Sequence, residues 1–295
     1  MDEKNLVPKN IAFFCVFVVP VSFVAYTDFI KKLAASKIKE DYQRRMMQNM
    51  KADPYKNEIE VQLQEKYLYR EKELKFFLPY SLIYIVSFVA IFWILGPYIN
   101  FPISKIYFSP ENNNSITDKA IKTVTIIIIN FVLYSGLLIQ FIIGNEIMYP
   151  KTPFCYFMEN IYGPFLEESI YRGLLYTLCI SAGYGGVESA IISSATFSLS
   201  HLRHVFDVYF HKSMIPSLFF QILYTFLFGI YTCYGYNYSG TIIAAILLHS
   251  ICNTLQTPRL GYLSDPYISK FKKNVISFTY IIGILGWILL IKKFH

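Results

Sequence analysis

Apolar residues along this chain come in blocks. Eight windows stand out, at 10–30, 76–99, 121–144, 153–180, 187–208, 214–236, 239–256 and 275–291. A helix needs about 20 mostly apolar residues to cross the hydrocarbon of a bilayer. The pattern therefore predicts an all-α, polytopic membrane protein: one domain over residues 1–295 with about eight transmembrane helices. The first window and the stretch "TVTIIIINFVLYSGLLIQFIIG" are clean, whereas the fourth, fifth and seventh windows carry ionisable residues. The first window is long for a signal peptide and no small-residue cleavage site follows it, so a retained span is expected. Between the first two windows, residues 31–75 mix charges of both signs ("EIEVQLQEKYLYREKELK"). This segment is expected to be a charged cytosolic loop that forms a solvated helix at the membrane surface.

Composition supports the membrane class. At 54% hydrophobic, 18% aromatic and 16% charged, the chain is too apolar for an ordinary soluble domain. Its net charge of +7 speaks first to orientation. With eight spans, the odd-numbered loops hold nineteen Lys and Arg residues, twelve of them in 31–75, and the opposite side holds seven. That bias places the odd loops in the cytosol and both termini across the membrane. The sequon Asn113-Asn114-Ser115 then falls on the lumenal side, where glycosylation occurs. No basic–aromatic run points to nucleic acid. The five cysteines lie in or beside apolar windows with no CxxC pair, which suits small buried hydrophobes.

Charge inside the windows changes the picture. A central Glu or Arg costs about 2.5–3.5 kcal/mol on insertion scales, so such residues are functional candidates by default. The fourth window contains "GPFLEESIYRG", with Glu167, Glu168 and Arg172. Glu168 and Arg172 are four apart and share a helical face, which suits an ion pair. Glu167 points elsewhere on the helix, and an unpartnered carboxyl in an apolar cavity is suited to act as a general base. "TFSLSHLRH" places Phe197 and His201 four apart, with His204 nearby, and "LLHSICN" does the same for His249 and Asn253. At about 1.5 Å rise per residue, His201, His249 and Asn253 fall in the cytosolic half of their spans and Glu167 near mid-membrane. The four are expected to converge on an intramembrane cavity open to the cytosol. Arg172 lies deeper and is better placed to anchor.

Taken together, Glu167-Glu168-x-x-x-Arg172, Phe197-x-x-x-His201 and His249-x-x-x-Asn253 resemble the membrane-embedded CAAX protease and bacteriocin-processing family. The resemblance runs over about residues 160–258 and is nearest to the eukaryotic type II CAAX prenyl endopeptidases. It implies removal of the C-terminal tripeptide from prenylated CAAX proteins such as Ras-like GTPases, at the cytosolic face of the endoplasmic reticulum membrane. Partners are then prenylated substrates and the lipid bilayer. Carried over residue by residue, Glu167 and His201 activate water, His249 and Asn253 stabilise the oxyanion, and Glu168 and Arg172 hold the arrangement. The motif-bearing helices span 153–256, and no cofactor or metal is implied.

Other chemistries remain to be weighed. HExxH is absent, yet Glu167, His201 and His249 offer three ligands for zinc. Cys252 lies close to the His249 face, although a thiol in an apolar helix without an activating charge is normally inert. There is no GxSxG, and the aspartates form no intramembrane pair. A non-catalytic scaffold or transporter using the charges structurally is the remaining alternative.

Overall fold

The computed structural model describes residues 7–52, 58–96, 101, 103–109, 115–144, 152–201, 215–257 and 260–294. The described residues are almost entirely helical and include no strand; a lone bridge joins Phe108 to Thr241. We label the helices α1 (Lys9–Ala52), α2 (Glu58–Leu95), α3 (Ile116–Leu133), α4 (Ser135–Gly144), α5 (153–181, with π-helical turns), α6 (Gly186–Ser200), α7 (Ile215–Ser239), α8 (Ile242–Leu255) and α9 (Lys270–Phe294). His204 and the sequon asparagines Asn113 and Asn114 lie outside the described residues.

The segment expected as a charged loop forming a solvated helix, 31–75, is helical over 31–52 and 58–75, as the continuation of α1 and α2. Its composition explains this. Lys, Glu, Gln, Arg, Met and Leu are good helix formers, and its single proline, Pro54, falls outside the described residues. At about 1.5 Å per residue the 44-residue α1 and 38-residue α2 each exceed the roughly 30 Å hydrocarbon core. The two helices run antiparallel. Tyr26 Oη donates to the Tyr80 carbonyl at 2.7 Å, while one turn back Phe23 packs on Tyr84.

By length and composition, two described helices suffice to cross a membrane: residues Leu218–Ser239 of α7, and α9. A third crossing results if α3 and α4, bent by 53° at Tyr134, count as one broken span. Glycines let α9 pack into that bend, where a Cβ on Gly283 would stand 2.8 Å from the Val132 carbonyl. The described parts of the remaining windows are also helical, and among the described residues α6 and α8 have 15 and 14 residues in helix. The eight-span expectation is thus met by the structure only in part.

The core is organised around α5. Residues 170–182 are all buried, which explains why this stretch is apolar on every side apart from its few polar groups. Leu174 and Leu178 pack with Ala12 and Phe101. Ile170, Tyr171 and Leu175 meet Phe23 of α1 and Phe197 of α6. Tyr176 and Ile180 meet Tyr236 of α7 and Ala245 of α8. The three motif-bearing helices, α5, α6 and α8, are therefore brought together by hydrophobic clusters that share α5.

Candidate active site

Helix α5 is widened twice, with π-helical turns over Met158–Tyr162 and Ser169–Tyr176. Such turns shift the phase of a helix and often occur at functional sites. The two glutamates sit between them, on the short α-helical stretch Gly163–Glu168. Glu168 and Arg172 are both fully buried, and Arg172 Nη1 donates to Glu168 Oε1 at 3.1 Å. The guanidinium also stacks over Phe197, with Cζ 4.4 Å from the ring centroid, a cation–π contact in a low-dielectric setting.

Glu168 does more than hold Arg172. Its Oε1 lies 2.7 Å from His249 Nδ1, across from α8. The other ring nitrogen of His249, Nε2, stands 3.8 Å from Glu167 Oε2. The spacing pattern separates Glu167 from the Glu168–Arg172 face, whereas the structure joins the two carboxylates through one imidazole. The reason is geometric: adjacent residues diverge on the helix surface, and a ring facing α5 between them presents one nitrogen to each. Glu168 is thus partner to an arginine and a histidine at once.

His201 closes α6 as its C-terminal cap. Its Nδ1 lies 2.9 Å from the Phe197 carbonyl, so Nδ1 donates and, in the neutral ring, the lone pair resides on Nε2. Phe197 links the polar groups: its ring packs edge-on against His201 at 4.8 Å and against His249 at 5.9 Å between centroids. Phe228 of α7 supports His249 from another side at 5.5 Å. Asn253 donates from Nδ2 to the Glu159 backbone oxygen at 3.0 Å.

A cavity of about 250 Å³ opens beside these groups. Glu167 and Asn253 line it together with Arg70, Glu73 and Glu159, and its apolar wall includes Phe23, Leu74, Phe77 and Met158. Of the four residues expected to converge on it, Glu167 and Asn253 line the cavity; His249 stands behind Glu167, and His201 packs on the Phe197 ring that also touches His249. Glu167 keeps 23% of its side chain exposed, in contrast to the fully buried Glu168. Among the described residues no group of three or more His, Cys, Asp or Glu side chains is arranged to hold a metal ion. Cys252 is buried, and its sulfur lies 3.2 Å from the uncharged Tyr224 hydroxyl.

Residues 150–255 match the family model described as type II CAAX prenyl endopeptidase Rce1-like. Over this segment the chain is similar to type II CAAX prenyl endopeptidases. CAAX prenyl protease 2 of Arabidopsis thaliana is 27% identical over 138 residues, covering 44% of this chain and 41% of that protein. CAAX prenyl protease 2 of Homo sapiens is 28% identical over 106 residues, covering 34% of this chain and 32% of that protein. The probable CAAX prenyl protease 2 of Schizosaccharomyces pombe is 26% identical over 105 residues, covering 34% and 39%. The chain thus spans less than half the length of each of these relatives. No solved structure gives a significant match.

Glu167, Glu168, Arg172, His201, His249 and Asn253 all fall inside the matched segment. Arg70, Glu73 and Phe23 do not, so the opposite wall of the cavity comes from α1 and α2. No short motif marks these wall residues. Arg70 and Glu73 sit in a run of alternating charges that reads as solvated surface, and only the tertiary packing reveals where they point.

Proposed function

We propose that the chain is an intramembrane endopeptidase that removes the C-terminal tripeptide from prenylated CAAX proteins. One observation carries the reading: His249 bridges Glu167 and Glu168 at the edge of a cavity that Glu167 and Asn253 line. Glu167, assisted by His201, takes a proton from water as the oxygen attacks the carbonyl that follows the prenyl cysteine. The tetrahedral oxyanion receives donors from Asn253 Nδ2 and His249 Nε2. Collapse breaks the C–N bond, and Glu167 returns its proton to the departing amine. Since His249 Nδ1–H is committed to Glu168, a donor at Nε2 requires a second proton on the ring. Glu167, 3.8 Å away, is the neighbour with which Nε2 can exchange it. Glu168 and Arg172 fix this constellation from the dry side.

The same reading places the protein in the endoplasmic reticulum membrane with eight spans, the odd loops and the mouth of the cavity facing the cytosol. The loop charge asymmetry supports that orientation, and Ras-like GTPases bearing a prenyl group are the expected substrates.

The test is cleavage of a synthetic prenylated CAAX peptide by the purified protein, with and without EDTA. Release of the tripeptide, unaffected by the chelator, is expected, because the nucleophile is water activated by a carboxylate and an imidazole. Activity lost to EDTA and restored by zinc would move the mechanism to a metal centre, and no cleavage at all would leave the scaffold alternative.

Asn253→Ala is expected to lower kcat by about 10²–10³, the usual contribution of one oxyanion donor, with little change in KM. Steady-state kinetics on the same peptide measure both. A change confined to KM would make Asn253 a substrate-binding residue instead.

A further inference from the structure

Asn253 is held by a chain of contacts that begins outside the matched segment. The oxygen it reaches, the Glu159 carbonyl, owes its position to the local chemistry of α5. Over Met158–Tyr162 the helix is π-helical, so N–H groups bond five residues back, and Gly163 N–H goes to the Met158 carbonyl. The same pattern would assign the Glu159 carbonyl to the N–H of residue 164. That residue is Pro164, which has no N–H to give. The Asn253 amide takes the place of the missing backbone donor, at 3.0 Å.

The side chain of Glu159 is pinned as well. Arg70 Nε donates to Glu159 Oε1 at 2.8 Å, and Arg70 Nη1 donates to Glu73 Oε2 at 2.7 Å, one turn along α2. Arg70, Glu73, Glu159 and Asn253 line the same cavity as Glu167, and Arg70 supplies the one cation among the described lining residues. Around it, α2 lies against the start of α5 through Leu74, Cys155 and Met158 and through the Ser81–Tyr162 hydroxyl pair at 2.8 Å. The ionic contact therefore sits on a packed interface, where it can set the position of one turn.

That turn matters because of what an asparagine amide is. Its oxygen and nitrogen ends have nearly the same shape, so sterics alone do not choose between the two orientations. A carbonyl oxygen at hydrogen-bond distance does choose, because only the NH₂ end can face it. One amide hydrogen is then spent on Glu159, and the second stays on a nitrogen of fixed position, where an oxyanion can use it. We infer that Arg70, Glu159 and Pro164 form a positioning device for the Asn253 amide, coupling the charged half of α2 to the catalytic helices. The inference rests on the protease reading above. Arg70 acts through Glu159 and is a positioning residue.

The experiment is steady-state cleavage of a prenylated CAAX peptide by the full-length purified protein and its Arg70→Gln, Arg70→Lys, Pro164→Ala and Arg70→Gln/Pro164→Ala variants. Arg70→Gln is expected to lower kcat about tenfold, a part of what an oxyanion donor contributes, with KM held within about twofold. Arg70→Lys keeps a charged donor for Glu159 and should recover most of that loss. Pro164→Ala supplies the missing N–H, which competes with Asn253 for the Glu159 carbonyl, and should give a similar fall without touching any charge. Alanine is also the better helix former, so the melting temperature of this variant should hold or rise while kcat falls. Structural damage would move both downwards. The double variant should be no slower than the slower single one, because both changes release the same amide. Losses that multiply in the double variant would overturn the inference. So would wild-type kinetics for Arg70→Gln, or a raised KM with unchanged kcat, which would make Arg70 a substrate-binding group. If Arg70→Gln does not fold, Pro164→Ala decides alone: lowered kcat at unchanged KM supports the device, and wild-type kcat ends it. A wild-type protein that cleaves no CAAX peptide is a failure of the protease reading, visible before any variant is made.

Discussion

Replacing Glu167 or His201 by alanine should abolish tripeptide release while leaving the melting temperature of the detergent-solubilised protein close to wild type. General acid–base groups contribute about 10²–10⁴ each, so turnover should fall to the detection limit of a peptide assay. The stability half of the expectation comes from position. Glu167 keeps 23% of its side chain exposed at the cavity, and His201 caps the end of α6, only partly buried. Neither is buried in the core that α5 organises, so truncation strands no buried charge. The chemical half comes from orientation. His201 gives its Nδ1 proton to the Phe197 carbonyl at 2.9 Å, which leaves Nε2 as the basic nitrogen of the neutral ring. On the proposed mechanism Glu167 and His201 act on one water as a unit, so the double variant should be no slower than either single one. Wild-type-like turnover by either single variant would remove it from the nucleophile-generating role.

How much of this could be read from the chain alone differs by residue. The all-helical class was legible because apolar blocks of membrane-spanning length are a strong signal. The Glu168–Arg172 pair was legible for a local reason: four-residue spacing on a helix almost dictates the contact, and the two side chains meet at 3.1 Å. The role of His249 was only half legible. Its spacing to Asn253 places both on one face of α8, but nothing local says that its Nδ1 will meet Glu168 at 2.7 Å. That contact depends on how α8 packs on a helix 81 residues earlier in the chain. The π-helical turns of α5 were invisible as well, since no residue pattern in Met158–Tyr162 or Ser169–Tyr176 distinguishes them from α-helix. Arg70 was misread for an instructive reason. In "EKYLYREKELK" every charge has a neighbour of opposite sign, which is the mark of a helix whose charges face solvent. Two of those charges, Arg70 and Glu73, nevertheless line the cavity.

Removing Arg172 should damage the fold more than removing the pair to which it belongs. Arg172 and Glu168 are both fully buried, and losing one partner of such a pair strands the other charge at a cost of roughly 3–5 kcal/mol. Arg172→Ala carries a second penalty, because the guanidinium fills space between Phe197 and Gly229. Its Cζ is 4.4 Å from the Phe197 centroid, and a Cβ on Gly229 would come within 2.9 Å of Nη2. Arg172→Gln keeps part of that volume and isolates the charge effect. The expected order of melting temperature in detergent is Arg172→Ala lowest, then Arg172→Gln, with Glu168→Gln/Arg172→Gln above both. In the double variant no charge is stranded, and the glutamine oxygen at 168 can still accept from His249 Nδ1. Activity should follow a different order. Glu168 also orients His249, so the double variant should fold better than Arg172→Gln and yet cleave slowly, separating the anchoring role of the pair from its service to the histidine. Thermal melts of Glu168→Gln, Arg172→Gln and the double variant decide the matter, read as a double-mutant cycle. Losses that simply add would mean that the two charges stand independently and that Arg172 anchors α5 through packing on Phe197 alone.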